Sequence, residues 1–200
     1  MGDTKERILL TALDLFARRG YEAVSVSDIA GALGLTKGAL YRHYESKEAI
    51  FDSILRRMEQ QDGEQARDHD LPEEAPSADE AAYERTTPED IVSFSRAMFR
   101  YWTGDPFAAP FRWMLTVEQF HSDRMSRLYQ QYLAAGPLGY VADLFDGLGL
   151  SDPKGRAASF YGPMFLLYSV YDGAEDKGSV TAMLDAHMEQ AKKELMGGKA

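Results

Sequence analysis

Lys37, Tyr41, Arg42, His43 and Lys47 bring three cations, a phenol and an imidazole into eleven residues, around Gly38 and just after the hydroxyls of Ser27 and Thr36. Such groups donate hydrogen bonds and positive charge, which is the chemistry that holds phosphates and reads acceptors on base edges. Advancing about 100° per residue from Lys37, Leu40 points one way with Tyr44 beside it, while Lys37, Gly38, Tyr41 and Arg42 face outward. Gly38 is poor for helix propensity but removes a side chain where a backbone would come nearest a bound surface.

A short helix can present such a face only if a neighbour braces it. Ser25 with Asp28 three residues on is a capping-box start, and Val26, Ile29, Ala30 and Leu33 follow at helical spacing. Gly34 tolerates the left-handed conformation that closes a helix, Leu35 then turns inward, and Thr36 offers a hydroxyl cap to a second helix beginning near Lys37. Ser46 caps a further helix at Lys47, whose N-terminal amides and ammonium together suit a phosphate. Upstream, Asp3 and Glu6 are spaced as cap and return cap. Ile8, Leu9, Ala12, Leu13 and Phe16 form the apolar stripe of a first helix closed by Gly20. The spacing is that of a helix-turn-helix in a three-helix domain.

The order Gly-x-Leu-Thr-Lys-Gly-x-Leu-Tyr-x-His-Tyr-x-Ser-Lys resembles, almost residue for residue, the DNA-binding signature of TetR-type transcriptional regulators, over about residues 5 to 58. The resemblance implies base-edge contacts from Lys37, Gly38 and Tyr41, and phosphate contacts from Ser27, Thr36, His43 and Lys47. It also implies a homodimer on double-stranded DNA with a divergent helical C-terminal domain that binds a small effector, and a habit of repression. Ala39 stands where many relatives have threonine or serine, so a thymine methyl contact could replace a hydroxyl contact. Arg42 could reach guanine or a phosphate.

Composition bounds the rest. The chain has 200 residues, 44% hydrophobic, and no cysteine, so it can fold with a sizeable core but cannot form disulfides or a thiolate zinc site. Its start lacks the apolar core of a signal peptide, which leads us to expect a cytoplasmic protein. The net charge of −10 is unevenly spread: residues 1–58 carry 9 basic and 8 acidic residues, net +1, and the remainder 13 and 24, net −11. Weak non-specific DNA binding is expected.

The boundaries read from sequence are 1–58 for the DNA-binding domain, 59–88 for the end of its last helix and an acidic linker, and 89–200 for an effector-binding and dimerisation domain. Asp62 to Thr87, with Leu71, Tyr83, Pro72 and Pro76, reads as a solvated connection too polar to bury a core. Order resumes at Thr87-Pro88-Glu89-Asp90, a cap, an N1 proline and an acidic first turn. Helical spacing then runs through Ile91, Phe94, Met98, Tyr101 and Trp102. It continues through Phe111, Met114, Leu115, Glu118 and Phe120, and on to Leu128, Tyr132 and Leu133. A helix from Leu138 to Leu148 ends at Gly149, and Asp152-Pro153 opens another. The fold class is all-α, an N-terminal helix-turn-helix domain plus a C-terminal helical bundle.

Phe160 to Tyr171 is apolar almost all round and too short to span a membrane, so no membrane partner is expected. Two-sided burial points to a second subunit, with Phe160, Met164, Leu167 and Tyr171 joined by Leu184, His187, Met188 and Ala191 of the last helix. A dimer would set paired reading helices on a palindromic operator. Phe94, Met98, Trp102, Trp113, Met114, Tyr132, Met164 and Tyr168, with Glu118 and His121 as polar groups, are the candidate lining for a bulky apolar or aromatic effector. No metal or cofactor is expected. A regulator controlled by a protein partner, or by nothing, is the alternative. An enzyme is remote: His121, Ser122 and Asp123 diverge on one helix, His43, His69 and His187 lie in separate regions, and no HExxH, phosphate loop or dinucleotide fingerprint occurs.

Overall fold

The computed structural model describes residues 2–68, 71–72 and 80–197, and every regular element among them is a helix. In chain order these are α1 Gly2–Arg19, α2 Val26–Ala32, α3 Lys37–Tyr41, α4 Lys47–Asp68, α5 Glu80–Arg85, α6 Pro88–Gly104, α7 Ala108–Glu118, α8 Asp123–Leu133, α9 Ala135–Gly147, α10 Pro153–Gly173 and α11 Lys177–Gly197.

Local chemistry accounts for most boundaries. Ser25 Oγ accepts the Asp28 N–H at 3.1 Å and the Asp28 carboxylate accepts the Ser25 N–H at 2.8 Å, the reciprocal cap expected for α2. At its other end the Gly34 N–H reaches the Gly31 carbonyl at 3.1 Å and the Leu35 N–H reaches the Ala30 carbonyl at 2.8 Å, with Gly34 at φ +67°. This paired closure needs a left-handed residue. The same device ends α9 at Gly149, φ +73°. Thr87 and Asp90 repeat the reciprocal cap before α6, and Asp152 caps α10 ahead of Pro153.

The chain divides into two compact units, Met1–Asp62 with Asp105–Tyr129, and Gly63–Gly104 with Gln130–Ala200. Neither is a continuous stretch. The division falls inside α4, at Gly104–Asp105 and inside α8, so the sequence boundaries at 58 and 88 coincide with none of the three crossings.

In the first unit, Ile8, Leu9, Ala12, Leu13 and Phe16 are buried, and α1 packs against α2 and, more extensively, against α7. Helix α1 already includes position 3, and the Glu6 carboxylate pairs with Arg57 of α4. Tyr21, just past Gly20, is the junction. Its ring lies 5.0 Å from those of Phe16 and Phe51 and beneath the Lys47 ammonium at 4.2 Å; its hydroxyl donates to Glu48 at 2.7 Å. Its carbonyl accepts from Lys47 Nζ at 2.9 Å, and its N–H donates to Glu118 of α7 at 3.1 Å. Arg124 of α8 donates to Glu48 and to Asp52, the latter at 2.7 Å, and lies over the Phe51 ring. Phe120, read as part of the α7 stripe, falls beyond that helix and is 85% exposed.

In the second unit, α10 packs on α9, α11 and α6. Arg96 of α6 bonds Asp185 at 3.0 Å and Glu189 at 2.7 Å on α11. Within the stretch read as a solvated linker, α4 continues to Asp68, Leu71 is buried, the Tyr140 hydroxyl donates to the Pro72 carbonyl at 2.9 Å, and Tyr83 of α5 is buried beside Gly147. Isolated apolar residues suffice because each docks on an existing core rather than building one. His69 and Pro76 lie outside the described residues.

The residues of α10 and α11 read as a dimer interface have partners within the single chain. Phe160, Met164, Leu167, Leu184, Met188 and Ala191 are buried within one chain, as packing of α10 on its own neighbours fills that side. Tyr171 is half-buried with its ring edge-on to Phe99 at 5.7 Å, and His187 donates from Nε2 to the Phe160 carbonyl at 2.8 Å. The side of α10 left open carries Gly162, Pro163, Phe165, Leu166 and Val170 instead.

Two outcomes follow for stability. A Cβ at Gly34 meets nothing within 4 Å, so Gly34→Ala should cost only the backbone strain of φ +67°, about 1–2 kcal/mol in denaturant unfolding. Burial, and then the Glu48 carboxylate, raise the Tyr21 phenol well above its usual 10.0. The folded chain thus holds that proton more tightly than the unfolded one, and this contribution is present below pH 10 and lost as pH rises beyond it. In a pH series of unfolding midpoints, Tyr21→Phe should flatten the alkaline decline relative to the parent protein.

Candidate nucleic-acid interface

Helix α3 spans only five residues, so its orientation comes from its two ends and one buried contact. Thr36 Oγ1 accepts the Ala39 N–H at 3.1 Å at the start, and Leu40 is fully buried. At the far end the His43 and Tyr44 N–H groups both donate to the Leu40 carbonyl, and Tyr44 is buried with the Lys5 ammonium 5.3 Å from its ring. Lys37, Gly38, Tyr41 and Arg42 face outward, as their spacing requires. Tyr41 is 44% exposed and has the Lys37 ammonium 5.7 Å from its ring, so a cation and a phenol stand together on the open face.

Gly38 has no internal reason to be glycine. A Cβ there would touch nothing within 4 Å and its φ is not in the left-handed region, yet it lies in the first turn of a helix, where glycine is about 1 kcal/mol worse than alanine. Its missing side chain leaves room only on the outside. Ala39 is half-buried beside it.

The remaining DNA candidates frame this face. Ser27 is exposed in the first turn of α2, where Asp28 also takes Arg19 at 3.4 Å, and His43 is half-buried past the end of α3. Thr36 accepts through Oγ1, which leaves its hydroxyl hydrogen able to donate outward. Lys47 is the exception to a simple outward reading. Its side chain is 22% exposed, its ammonium is bonded to the Tyr21 carbonyl, and Glu22 stands 3.8 Å away. Ser46 Oγ accepts the Ala49 N–H at 3.0 Å and starts α4 there, so Lys47 is held at the end of the helix that Tyr21 fixes.

The candidate effector residues are divided between the two compact units. Phe94, Met98, Trp102, Tyr132, Met164 and Tyr168 belong to the second unit, where Tyr168 stacks on Phe99 at 5.2 Å. Trp113, Met114, Glu118 and His121 belong to the first. Met114 and Glu118 are buried there against the α1 side, Trp113 is on the surface, and His121 Nδ1 lies 3.4 Å from Glu118. Tyr21, Glu48 and Arg124, which meet at the first turns of α4, were not legible in the sequence: Arg124 stands 76 positions from Glu48, and nothing local to either marks the pair.

Residues 8–54 match the family described as bacterial regulatory proteins, tetR family. Curated relatives share that segment: the HTH-type transcriptional regulator YerO of Bacillus subtilis is 46% identical over 50 residues, 25% of this chain and 17% of its own length. The HTH-type transcriptional repressor KstR2 of Rhodococcus jostii is 48% identical over 52 residues, 26% of each chain. The chain thus spans about a quarter or less of the length of these two relatives. Solved structures extend the likeness in fold. A transcriptional regulator of Aquifex aeolicus aligns with TM-score 0.69 at 17% identity, over 94% of this chain and 98% of that one. The fatty acid degradation regulator FadR of Bacillus halodurans aligns with TM-score 0.63 at 18% identity, over 100% and 97%. The likeness to the tetR family of bacterial regulatory proteins thus lies in the segment that carries α3, and over the rest of the chain it is one of fold.

Proposed function

We propose that the protein is a DNA-binding transcriptional regulator, acting as a repressor, that meets a palindromic operator as a homodimer and is released by a small effector. The observation that carries the reading is the outward set Lys37, Gly38, Tyr41 and Arg42 on a short helix braced from both ends, with a glycine whose only use lies outside the chain. Lys37 and Tyr41 meet base edges, the Gly38 backbone approaches the groove floor, and Arg42 takes guanine or a phosphate. Ser27, Thr36, His43 and Lys47 reach phosphates on either side; the three ammonium hydrogens of Lys47 allow a phosphate as well as the Tyr21 carbonyl. With the acidic excess lying outside residues 1–58, sequence-independent binding is weak and most affinity depends on the docked contacts.

Dimerisation uses the open side of α10, Gly162, Pro163, Leu166 and Val170, together with Met183 of α11. Leu166 is 62% and Met183 55% exposed, an apolar surface that a second copy would cover. The effector is apolar or aromatic and is held by the second unit, where Met98, Trp102, Met164 and Tyr168 provide adaptable packing. Glu118 is no longer part of that proposal, because its carboxylate is engaged by the Tyr21 N–H. An effector acts only through a difference in affinity between two states of the protein.

Selection of bound duplexes from a random DNA pool tests the reading. The parent chain should enrich a palindrome, and Tyr41→Ala should relax selection at a few base pairs at a cost of about tenfold or more in affinity. Gly38→Ala should raise the unfolding midpoint slightly while weakening binding to the enriched site; equal or tighter binding would remove the argument from Gly38. For the interface, Leu166→Asp should yield folded monomers by light scattering after size exclusion, with loss of palindrome preference. A dimer that survives that change would place the contact elsewhere.

A further inference from the structure

Two side chains from the segment Asp105–Tyr129, far downstream of the reading helix in sequence, end on its supports. Glu118 of α7 is 3% exposed and its Oε1 accepts the Tyr21 N–H at 3.1 Å. The same oxygen would stand 2.7 Å from a Cβ at Gly20, whose φ of +84° opens the turn that presents that N–H. A carboxylate is costly to bury and is poorly placed beside the C-terminal end of α1, where the backbone already carries partial negative charge. What the position uses is an acceptor aimed at one backbone donor. Tyr21 passes that constraint on, because its carbonyl and ring hold the Lys47 ammonium and its hydroxyl holds Glu48. Arg124 of α8 grips the same helical turns of α4 from the other direction, bonding Glu48 and Asp52 and covering Phe51.

We infer that Glu118 and Arg124 are positioning residues for DNA reading: Glu118 sets the place of Lys47 through Tyr21, and Arg124 fixes the first turns of α4 through Glu48 and Asp52. Neither touches DNA. The inference rests on the reading of Lys47 as a phosphate contact, and it assigns the 105–129 segment to the reading head rather than to effector recognition.

The experiment uses the full chain and a duplex enriched by the parent protein, and compares Kd and its salt dependence in Glu118→Ala, Glu118→Gln, Arg124→Ala, Lys47→Ala and the two double variants that join Lys47→Ala to Glu118→Ala or to Arg124→Ala. Circular dichroism confirms that each is folded. Glu118→Ala should bind about tenfold more weakly and lower the salt slope by about one, as Lys47→Ala does. In the Lys47→Ala background it should cost nothing further, because a positioning residue has no effect once its object is gone. Glu118→Gln keeps an acceptor oxygen at the same reach and should stay within about threefold of the parent, a rescue that loss of general stability would not give. Parent affinity in folded Glu118→Ala, losses that multiply in the double variant, or a glutamine variant as weak as the alanine would overturn the inference. If Glu118→Ala does not fold, Arg124→Ala, with its side chain 41% exposed, carries the test by the same criterion: a weaker Kd that does not multiply with the Lys47→Ala loss supports it, and parent affinity overturns it. Parent affinity in Lys47→Ala itself would overturn both this and the phosphate reading beneath it, so the two failures are distinct.

Discussion

A single backbone N–H, that of Tyr21, meets a carboxylate 97 residues later in the chain, and much of the first unit is arranged around that bond. Helix α1 must end there, because Gly20 in the left-handed region turns the N–H out of the helix and leaves space for Glu118. The tyrosine ring then fills the gap between Phe16 of α1 and Phe51 of α4, and its two oxygens reach the first turn of α4. With the ends of α1 and α4 fixed, α2 and α3 have one way to cover the small core through Ile29, Ala30 and Leu40. A five-residue helix would not hold its orientation alone, since helices this short are marginal in water.

That arrangement changes how the chain is divided. The family's segment, residues 8–54, is contiguous and has its own recognisable pattern, but the compact body around it includes Asp105–Tyr129. The chain crosses between the units inside α4, at Gly104–Asp105 and inside α8, so two of its three crossings are continuous helix. Of the stretch read as a linker, Leu71 and Tyr83 are buried and the Pro72 carbonyl accepts from Tyr140.

The second unit is organised by ordinary packing with a few polar ties. Arg96 reaching Asp185 and Glu189 joins α6 to α11, and His187 reaching the Phe160 carbonyl joins α11 to α10. The aromatic and methionine residues of α6 and α10 fill the space between. Burial of one side of α10 inside its own chain leaves the other side, from Gly162 to Val170, as the apolar surface that a single copy does not cover.

How much of this was legible in the sequence depended on the range of each interaction. Caps, glycine closures and the outward face of α3 are set by residues within four or five positions of one another, and Ser25 with Asp28, Gly34, Thr36, Ser46, Thr87 with Asp90, and Leu40 all behave as their spacing requires. The all-α class and the helix-turn-helix follow from those local rules. The tertiary structure alone decided which of the two apolar sides of α10 is internal, since periodicity shows that a helix is buried but not by what. It also decided that the Glu118 carboxylate accepts the Tyr21 N–H, that Glu6 pairs with Arg57, and that Phe120 lies outside its helix. Partners 51 to 97 positions apart leave no periodic trace, because their meeting is fixed by the packing of whole helices and not by the residues between them.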